Sequence, residues 1–174
     1  MDDMRPPTSR GEGAAEGSTG PLGRPQDFTV PGPAVIHIRG RKVVGGVAEG
    51  EALVSPDRIS GWGGVDPRTG TIVETRHALR GQSFAGKVLV FPGAKGSSGW
   101  SAQFHMTRVL GTGPAAWLFN EMTTKVALGT VVSHVPAMTG FDRDPLALIE
   151  TGDHVRVDAD AGLVTITKRS RSTP

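Results

Sequence analysis

The chain has 174 residues, and its 19 Lys and Arg against 17 Asp and Glu leave a formal charge of +2. This length fits one domain with a tail, and so small a positive excess argues against a nucleic-acid-binding protein. Because the sequence contains no cysteine, the chain forms no disulfide and offers no thiolate to zinc or to an iron–sulfur cluster. We expect neither a membrane span nor a signal peptide, and therefore a soluble, cytoplasmic protein.

The beginning of the chain differs in composition from the remainder. Residues 1–26 are Gly, Pro, Ser, Thr and charged residues with hardly an apolar side chain, which predicts a disordered N-terminal extension. One domain is expected over residues 27–168, followed by a basic tail over residues 169–174. Short β-branched runs separated by glycine predict strands at residues 35–38, 43–44, 52–54, 71–73, 88–91, 115–119, 155–157 and 163–166. The last two bracket a hairpin turn at residues 158–162.

Two helices are predicted. Ala102, Met106, Val109 and Leu110 recur at helical spacing and predict the apolar face of a helix that begins near residues 98–101. A serine hydroxyl there would cap the first turn. A shorter helix over residues 123–128 is expected to end at Gly129. Many strands and few helices indicate a β-rich α/β domain.

The loop PGAKGSSGWSAQFH, residues 92–105, joins a predicted strand to the first helix. It is not a Walker A loop, because Lys95 precedes the last glycine, and neither GxGxxG nor GxSxG fits it. Gly96, Ser97 and Ser98 precede the helix, where free N–H groups and the helix dipole favour a substrate carboxylate or a serine alkoxide. The alternative is that the glycines satisfy turn geometry and a serine only caps the helix.

A second unusual segment contains Trp62, Gly63 and Gly64. A tryptophan beside glycines is poor strand material, so Trp62 either lines a cleft or interface or plugs the end of a small barrel. Residues 66–70, DPRTG, predict a type I turn leading into a strand. His77 lies in a polar loop, where it either touches a ligand or is solvated. The five histidines show no metal-ligand spacing, so we expect no metal site.

Residues 40–140 resemble the small subunit, or swivel domain, of the aconitase X family. The matching pieces are GVAEGEAL at residues 46–53, GGVDP at 63–67, Gly70, HAL at 77–79, GKVL at 86–89, Pro92, KGSS at 95–98 and GPAA at 113–116. The resemblance implies a swivelling β/β/α domain that packs on a separate large subunit. It also implies that the cysteines of that large subunit hold an iron–sulfur cluster, of the 2Fe–2S type.

Members of this family are hydro-lyases: bacterial ones dehydrate cis-3-hydroxy-L-proline and archaeal ones dehydrate mevalonate 5-phosphate. In aconitases proper, the swivel domain contributes a Gly-Ser-Ser-Arg turn whose first serine is the base, and this role carries over to Ser97. Gly99 stands in place of the arginine, and Lys95 is a candidate substitute. The other candidate substrate-binding residues are Gly96, Ser98, Trp62, Gly63, Gly64 and His77.

The N-terminal extension and Trp62 favour the bacterial reaction, which would give Δ1-pyrroline-2-carboxylate. Ser97 would remove the α-proton while the metal of the large subunit assists loss of the 3-hydroxyl. Mevalonate 5-phosphate is the alternative substrate. A phosphohistidine carrier is a further alternative, but it needs a histidine where the turn enters its helix, and His105 lies about two turns beyond. A non-catalytic binding module would leave pathway activity intact without this chain.

Overall fold

The computed structural model describes residues 32–170, so the predicted extension over residues 1–26 and most of the basic tail lie outside the described residues. The strands are β1 (Val35–Arg39), β2 (Arg41–Val44), β3 (Val47–Val54), β4 (Ile59–Ser60), β5 (Val65–Asp66), β6 (Thr71–Ile72), β7 (Val88–Phe91), β8 (Ala94–Lys95), β9 (Ala116–Phe119), β10 (Ala137–Thr139), β11 (His154–Asp158) and β12 (Leu163–Thr167). The helices are α1 (Trp100–Val109), α2 (Thr124–Ser133) and α3 (Pro145–Leu148).

Eight strands form one mixed sheet in the order β1-β12-β11-β3-β7-β9-β10-β2. The neighbours β3, β7, β9 and β10 run parallel, whereas β11, β12 and β1 continue the sheet antiparallel. The two outermost strands of this order, β1 and β2, are joined by Gly40 alone, and the Gly40 N–H donates to the carbonyl of Gly162 at 3.1 Å. The sheet therefore curls back on itself.

Alternate residues of the central strands face two separate cores. Leu89 and Phe91 of β7 pack with Trp117 of β9 against Trp100 and Phe104 of α1. The intervening residues of these strands face the side chains of β11 and β12 in the second core, which contains Val88, Val90, Ala116, Leu118, Val155, Val157, Val164 and Ile166. Strands buried on both faces are continuously apolar. The result is one domain of three layers, β/β/α, which confirms the predicted fold class.

Most predicted strands are present, and the late hairpin is confirmed by the antiparallel pairing of β11 with β12. In its turn, the Asp158 carboxylate accepts a hydrogen bond from the Ala161 N–H at 2.9 Å. The predicted turn at residues 66–70 joins β5 to β6, and the Gly70 N–H donates to the Asp66 carbonyl at 2.9 Å. The short parallel pair β4–β8 was not predicted, because two-residue strands carry no periodic signal.

The predicted helix is present as α1, and its predicted apolar face exists but is not the face that packs on the core. The residues that α1 buries are Trp100, Ser101, Phe104 and Thr107. Met106 and Val109 of the predicted face are 43% and 64% exposed. Two aromatic rings bury more apolar area than the aliphatic stripe would, so they take the core side of the helix. The expected serine cap is wrong, because Gly99 is the N-cap and makes no side-chain hydrogen bond.

Helix α2 extends beyond the predicted end at Gly129. Thr123 caps its start, with Oγ1 accepting from the Val126 N–H at 3.4 Å, and His134 ends it in the left-handed region with φ 52°. Gly129 is a packing position, since a Cβ there would lie 2.3 Å from the Trp100 ring. The glycine allows α2 to approach α1 closely and is not a helix terminator.

Candidate functional site

The candidate site begins where the chain leaves the carboxyl end of β7 and enters α1. Gly96 has φ 89°, a left-handed conformation that favours glycine, and it turns the chain from β8 into the serine pair. Ser97 and Ser98 are both exposed. Within residues 32–170, neither hydroxyl makes a hydrogen bond with another protein group. Two free hydroxyls therefore stand at the N-terminus of a ten-residue helix, where N–H groups and the helix dipole favour negative charge.

The residue after this turn anchors it to the core. Trp100 is fully buried, and its indole Nε1 donates to the carbonyl of Ile59 at 2.8 Å. Gly61 allows this contact, because a Cβ at Gly61 would lie only 2.5 Å from the Trp100 Cα. The β4 segment and the start of α1 are therefore held together. The turn that carries the two serines is therefore anchored to the core at its C-terminal end.

Three cations lie around the turn. Lys95 forms an ion pair with Glu74 at 2.7 Å, and the Arg58 guanidinium donates to both carboxylate oxygens of Glu121, from Nε at 2.9 Å. The Lys125 ammonium donates to the carbonyl of Gly96. Among the described residues, Lys125 has no carboxylate within ion-pair distance. Lys125 therefore supplies the one ammonium at the turn whose charge is not compensated by a carboxylate in the described part of the chain.

Sequence reasoning proposed Lys95 as the cation of this turn and did not find Lys125. Lys125 lies about thirty residues beyond the turn, in the first turn of α2. The helix dipole disfavours a cation at the N-terminal end of a helix. The position of Lys125 at that end was the only signal in the sequence for a special role of this residue. Its contact with Gly96 depends on α2 packing beside α1, which the sequence did not predict.

A cleft of about 420 Å³ opens beside the turn and is lined by Pro56, Asp57, Arg58, Pro92, Lys95 and Glu121. It lies at the carboxyl ends of β7 and β9, where the Glu121 N–H donates to the Pro92 carbonyl at 2.8 Å. Crevices outside the carboxyl ends of parallel strands are common ligand sites. Hydrogen bonding from Arg58 holds the pKa of the Glu121 carboxyl below its ordinary value, so Glu121 is ionised at neutral pH.

The structure brings the segment of Trp62, Gly63 and Gly64, here called the glycine segment, to the same site. Ser60 pairs with Lys95 in the β4–β8 ladder, and the Glu74 N–H donates to the Gly64 carbonyl at 3.3 Å. Gly63 and Gly64 therefore lie beside the Lys95–Glu74 pair. Trp62 is 74% exposed, so the alternative in which it plugs a barrel is wrong.

His77 is buried and is not the solvated residue that its polar loop suggested. Its Nδ1 accepts the Leu79 N–H at 3.0 Å, which leaves the proton on Nε2, and Nε2 lies 3.3 Å from the Ser55 hydroxyl. The Ser55 hydroxyl donates to the Asp57 carbonyl at 2.6 Å. Nδ1 thus holds the loop of His77 itself, and Nε2 ties this loop through the Ser55 hydroxyl to the segment that leads to Arg58. Direct contact between His77 and a substrate stays a prediction.

Residues 32–170 do not fit a metal centre or an iron–sulfur cluster. The whole sequence lacks cysteine, and residues 32–170 contain no group of three His, Asp or Glu side chains arranged to hold a metal ion. In the same range, no helix is both long and apolar enough to cross a lipid bilayer.

The β/β/α layers and the exposed turn at a helix N-terminus define a swivel domain. The chain belongs to the aconitase X swivel domain family, whose model matches residues 37–166. It is 41% identical over 131 residues to the phosphomevalonate dehydratase small subunit of Methanocella arvoryzae, covering 75% of this chain and 99% of that protein. It is 44% identical over 131 residues to the phosphomevalonate dehydratase small subunit of Thermococcus kodakarensis, covering 75% of this chain and 96% of that protein.

A solved structure gives the same result for the fold. The crystal structure of Thermococcus kodakaraensis aconitase X in its holo-form matches with a TM-score of 0.72 at 43% identity, over 76% of this chain and 99% of that one. The resemblance to aconitase X that the sequence motifs indicated is therefore confirmed. The matched residues 37–166 lie inside the domain predicted over residues 27–168.

Proposed function

We propose that this chain is the small subunit of a phosphomevalonate dehydratase and that Ser97 is the base of the reaction. The observation that carries the proposal is the free, exposed Ser97 hydroxyl at the N-terminus of α1, in a chain that matches nearly the full length of small subunits bearing that name. The preference for cis-3-hydroxy-L-proline rested on the N-terminal extension and Trp62. Similarity to the curated relatives favours the alternative substrate, mevalonate 5-phosphate.

The reaction removes water across the bond between C2 and C3 of a 3-hydroxy acid. Ser97, as the alkoxide, takes the proton from C2, the electrons of that C–H bond form the double bond, and the C3–O bond breaks. The departing hydroxide receives a proton and leaves as water. An ordinary serine is far too weak a base for this step, so the alkoxide must be stabilised by positive charge in a site that excludes water.

The surroundings of Ser97 can supply that stabilisation. The first N–H groups of α1 are directed toward the turn, and the Lys125 ammonium lies at Gly96, the residue before Ser97. Arg58 and Lys95 already have carboxylate partners, so their charges are largely compensated before a substrate arrives. We assign Lys125 the role of favouring negative charge at Ser97. Arg58 and Lys95 line the cleft in which the carboxylate and phosphate of the substrate would lie.

The proposed enzyme is a heterodimer, or a higher assembly, of this chain and a large subunit. This chain is inactive by itself. The acid for the departing hydroxyl must come from that partner. An iron–sulfur cluster, which would supply Lewis-acid chemistry, has no ligands on this chain and would have to be held by the large subunit. A role in small-molecule metabolism agrees with a cytoplasmic location.

The proposal is tested by co-expressing the chain with the aconitase X large subunit of the same genome and assaying two substrates side by side. We expect loss of water from mevalonate 5-phosphate and no turnover of cis-3-hydroxy-L-proline. Each isolated chain should be inactive. Turnover of hydroxyproline alone would show that the substrate assignment is wrong, and turnover by the large subunit alone would refute the catalytic role of this chain.

A further inference from the structure

The helical layer exposes an unusual amount of apolar surface. Of the ten large hydrophobic residues that are exposed in the described part of the chain, six lie between residues 106 and 131, on or next to α1 and α2: Met106, Val109, Leu110, Met122, Leu128 and Val131. Clustered exposed apolar residues mark interaction surfaces, whereas scattered single ones do not. We call the outer surface formed by Ala102, Met106, Val109, Leu128, Val131 and Val132 the α1–α2 face.

The α1–α2 face contains a groove of about 360 Å³, and its walls include Ala102 and Met106 of α1 and Leu128 and Val132 of α2. The inner sides of both helices are already packed on the sheet through Trp100, Phe104 and Val126. Helix α1 is therefore apolar on two sides, and its own domain covers only one of them.

The groove begins at the candidate site. Ala102 lies in the first turn of α1, directly after the serine turn, and Lys125 in the first turn of α2 contacts Gly96. A body that fills the groove would therefore also reach the exposed Ser97. An open turn with an exposed alkoxide is unsuited to proton removal, because water would compete for the base. Whatever covers the groove is well placed to close the site.

The charges around the groove indicate what fits it. Neither α1 nor α2 contains an acidic residue. The cations lie at the two ends, with Lys125 at the serine turn and Arg108 donating to the Val132 carbonyl at 3.4 Å. Because the charge of Lys125 is assigned to Ser97, a complementary partner has an apolar ridge with a carboxylate at the Arg108 end.

Two other occupants fit poorly. A second copy packed about a two-fold axis would set this face against itself and bring Lys125 and Arg108 of both copies together with no acidic residue on either helix. The N-terminal residues 1–26 include only Met1, Met4 and Leu22 as large apolar residues. They offer too little apolar surface to fill the groove.

We propose that the α1–α2 face is the docking surface for the large subunit, which inserts an apolar ridge with a carboxylate at the Arg108 end and thereby closes the Ser97 turn. The inference rests on the proposed function, because that function requires a large subunit.

The test uses one substitution at two positions of similar exposure. Val131 on the α1–α2 face is 57% exposed and Val35 on β1 is 52% exposed. We expect Val131→Glu to weaken binding of the co-expressed aconitase X large subunit by about 30-fold or more, since it sets a carboxylate in an apolar contact. Val35→Glu should change the Kd by less than about threefold. Both isolated chains should melt at the wild-type temperature, because both positions are exposed.

A milder variant guards against misfolding. Leu128→Ala removes apolar area without adding charge and should weaken large-subunit binding by about tenfold. Equal affinities of the Val131→Glu and Val35→Glu chains would overturn the proposal. It would also be overturned if the wild-type chain alone were a dimer that Val131→Glu dissociates. If Val131→Glu prevents assembly but the wild-type complex does not dehydrate mevalonate 5-phosphate, the docking surface stands and only the proposed function fails.

Discussion

The strand layer of β1, β12 and β11 and the helical layer of α1 and α2 both present one face to solvent, but they do so with different chemistry. Buried and more exposed residues alternate along β11 and β12, and Arg156 on the outer side of β11 lies 3.7 Å from Glu49 of the adjacent strand. The outer face of the helices carries Met106, Leu128 and Val131 instead. The outer side of the strand layer carries paired charges, whereas the outer side of the helical layer leaves apolar side chains exposed.

The same contrast holds for polar groups. Asp153, in the turn before β11, is buried and accepts hydrogen bonds from Lys168 at 2.7 Å and from two backbone N–H groups. Ser97 and Ser98 are exposed, and within residues 32–170 their hydroxyls have no protein partner. Satisfied polar groups stabilise a fold, whereas free ones at a helix N-terminus remain available to a substrate. Substitutions in the two regions should therefore have opposite effects on stability and activity.

The largest effect is expected at the serine turn. Ser97→Ala removes an exposed hydroxyl, so the melting temperature should stay near wild type, whereas turnover of the assembled enzyme should fall by about 10²–10⁴, the range typical of a lost general base. Ser98→Ala is the matched control and should lose far less turnover. Turnover, exchange of the C2 proton and melting temperature are measured for each. A Ser97→Ala complex with near wild-type exchange would rule out this base, and the reverse order would assign the role to Ser98.

The strand layer should show the opposite pattern. Asp153→Asn is expected to destabilise the chain by about 2 kcal/mol, because Lys168 loses the nearer of its two carboxylate partners, Asp153 and Glu150, while turnover at saturating large subunit stays unchanged. Burial alone would raise the pKa of Asp153, but hydrogen bonds from Lys168 and the two N–H groups hold it below its ordinary value. A lowered folded-state pKa contributes stability above about pH 4, the unfolded value, and this contribution is lost as the pH falls through the folded value.

Denaturant unfolding of Asp153→Asn and wild type at pH 7 and at about pH 3 checks this prediction. The difference in unfolding free energy between the two chains should be largest at pH 7 and should shrink on acidification. A difference that is independent of pH would mean that the carboxylate charge of Asp153 does not stabilise the fold.

Substitutions of the two lysines at the turn should affect different kinetic constants. Lys125→Met is expected to lower the turnover number about tenfold, or about 1.4 kcal/mol, with little change in melting temperature, because an uncompensated ammonium near Ser97 is lost. Lys125→Arg keeps a cation there and should recover most of the activity. Lys95→Met should change mainly KM, since Lys95 is already paired with Glu74. Equal effects of Lys125→Met and Lys95→Met on the turnover number would remove the distinction between the two lysines.

The smallest effect is expected at Trp62. Trp62 is 74% exposed, whereas Trp100 and Trp117 are fully buried. Fluorine NMR of the fluorotryptophan-labelled chain should therefore show one resonance that moves when the unlabelled large subunit is added and two that barely change. An unshifted Trp62 resonance in the complex would place the glycine segment outside the interface.

Local signals in the sequence were sufficient for much of the strand layer and for the serine turn. Alternating β-branched residues around residues 158–162 predicted the β11–β12 hairpin. The matching pieces between residues 46 and 116 together identified the family, and KGSS at residues 95–98 supplied the candidate base. The predicted apolar face of α1 is not the side that packs on the core. Apolar residues recur on two sides of this helix, and periodicity alone cannot distinguish a side that packs on the core from one that packs on a partner.

What the sequence determined by itself was the kind of domain, because strand periodicity, turn chemistry and contiguous motifs are all properties of neighbours along the chain; through the family resemblance it also supplied Ser97 as the candidate base. Only the tertiary structure decided which cation stands at the turn, since Lys125 reaches Gly96 through the packing of α2 on α1, which Gly129 permits. It likewise decided that Lys95 is paired with Glu74 and that His77 is buried. These contacts join residues more than fifteen positions apart, and such contacts form only when the layers pack.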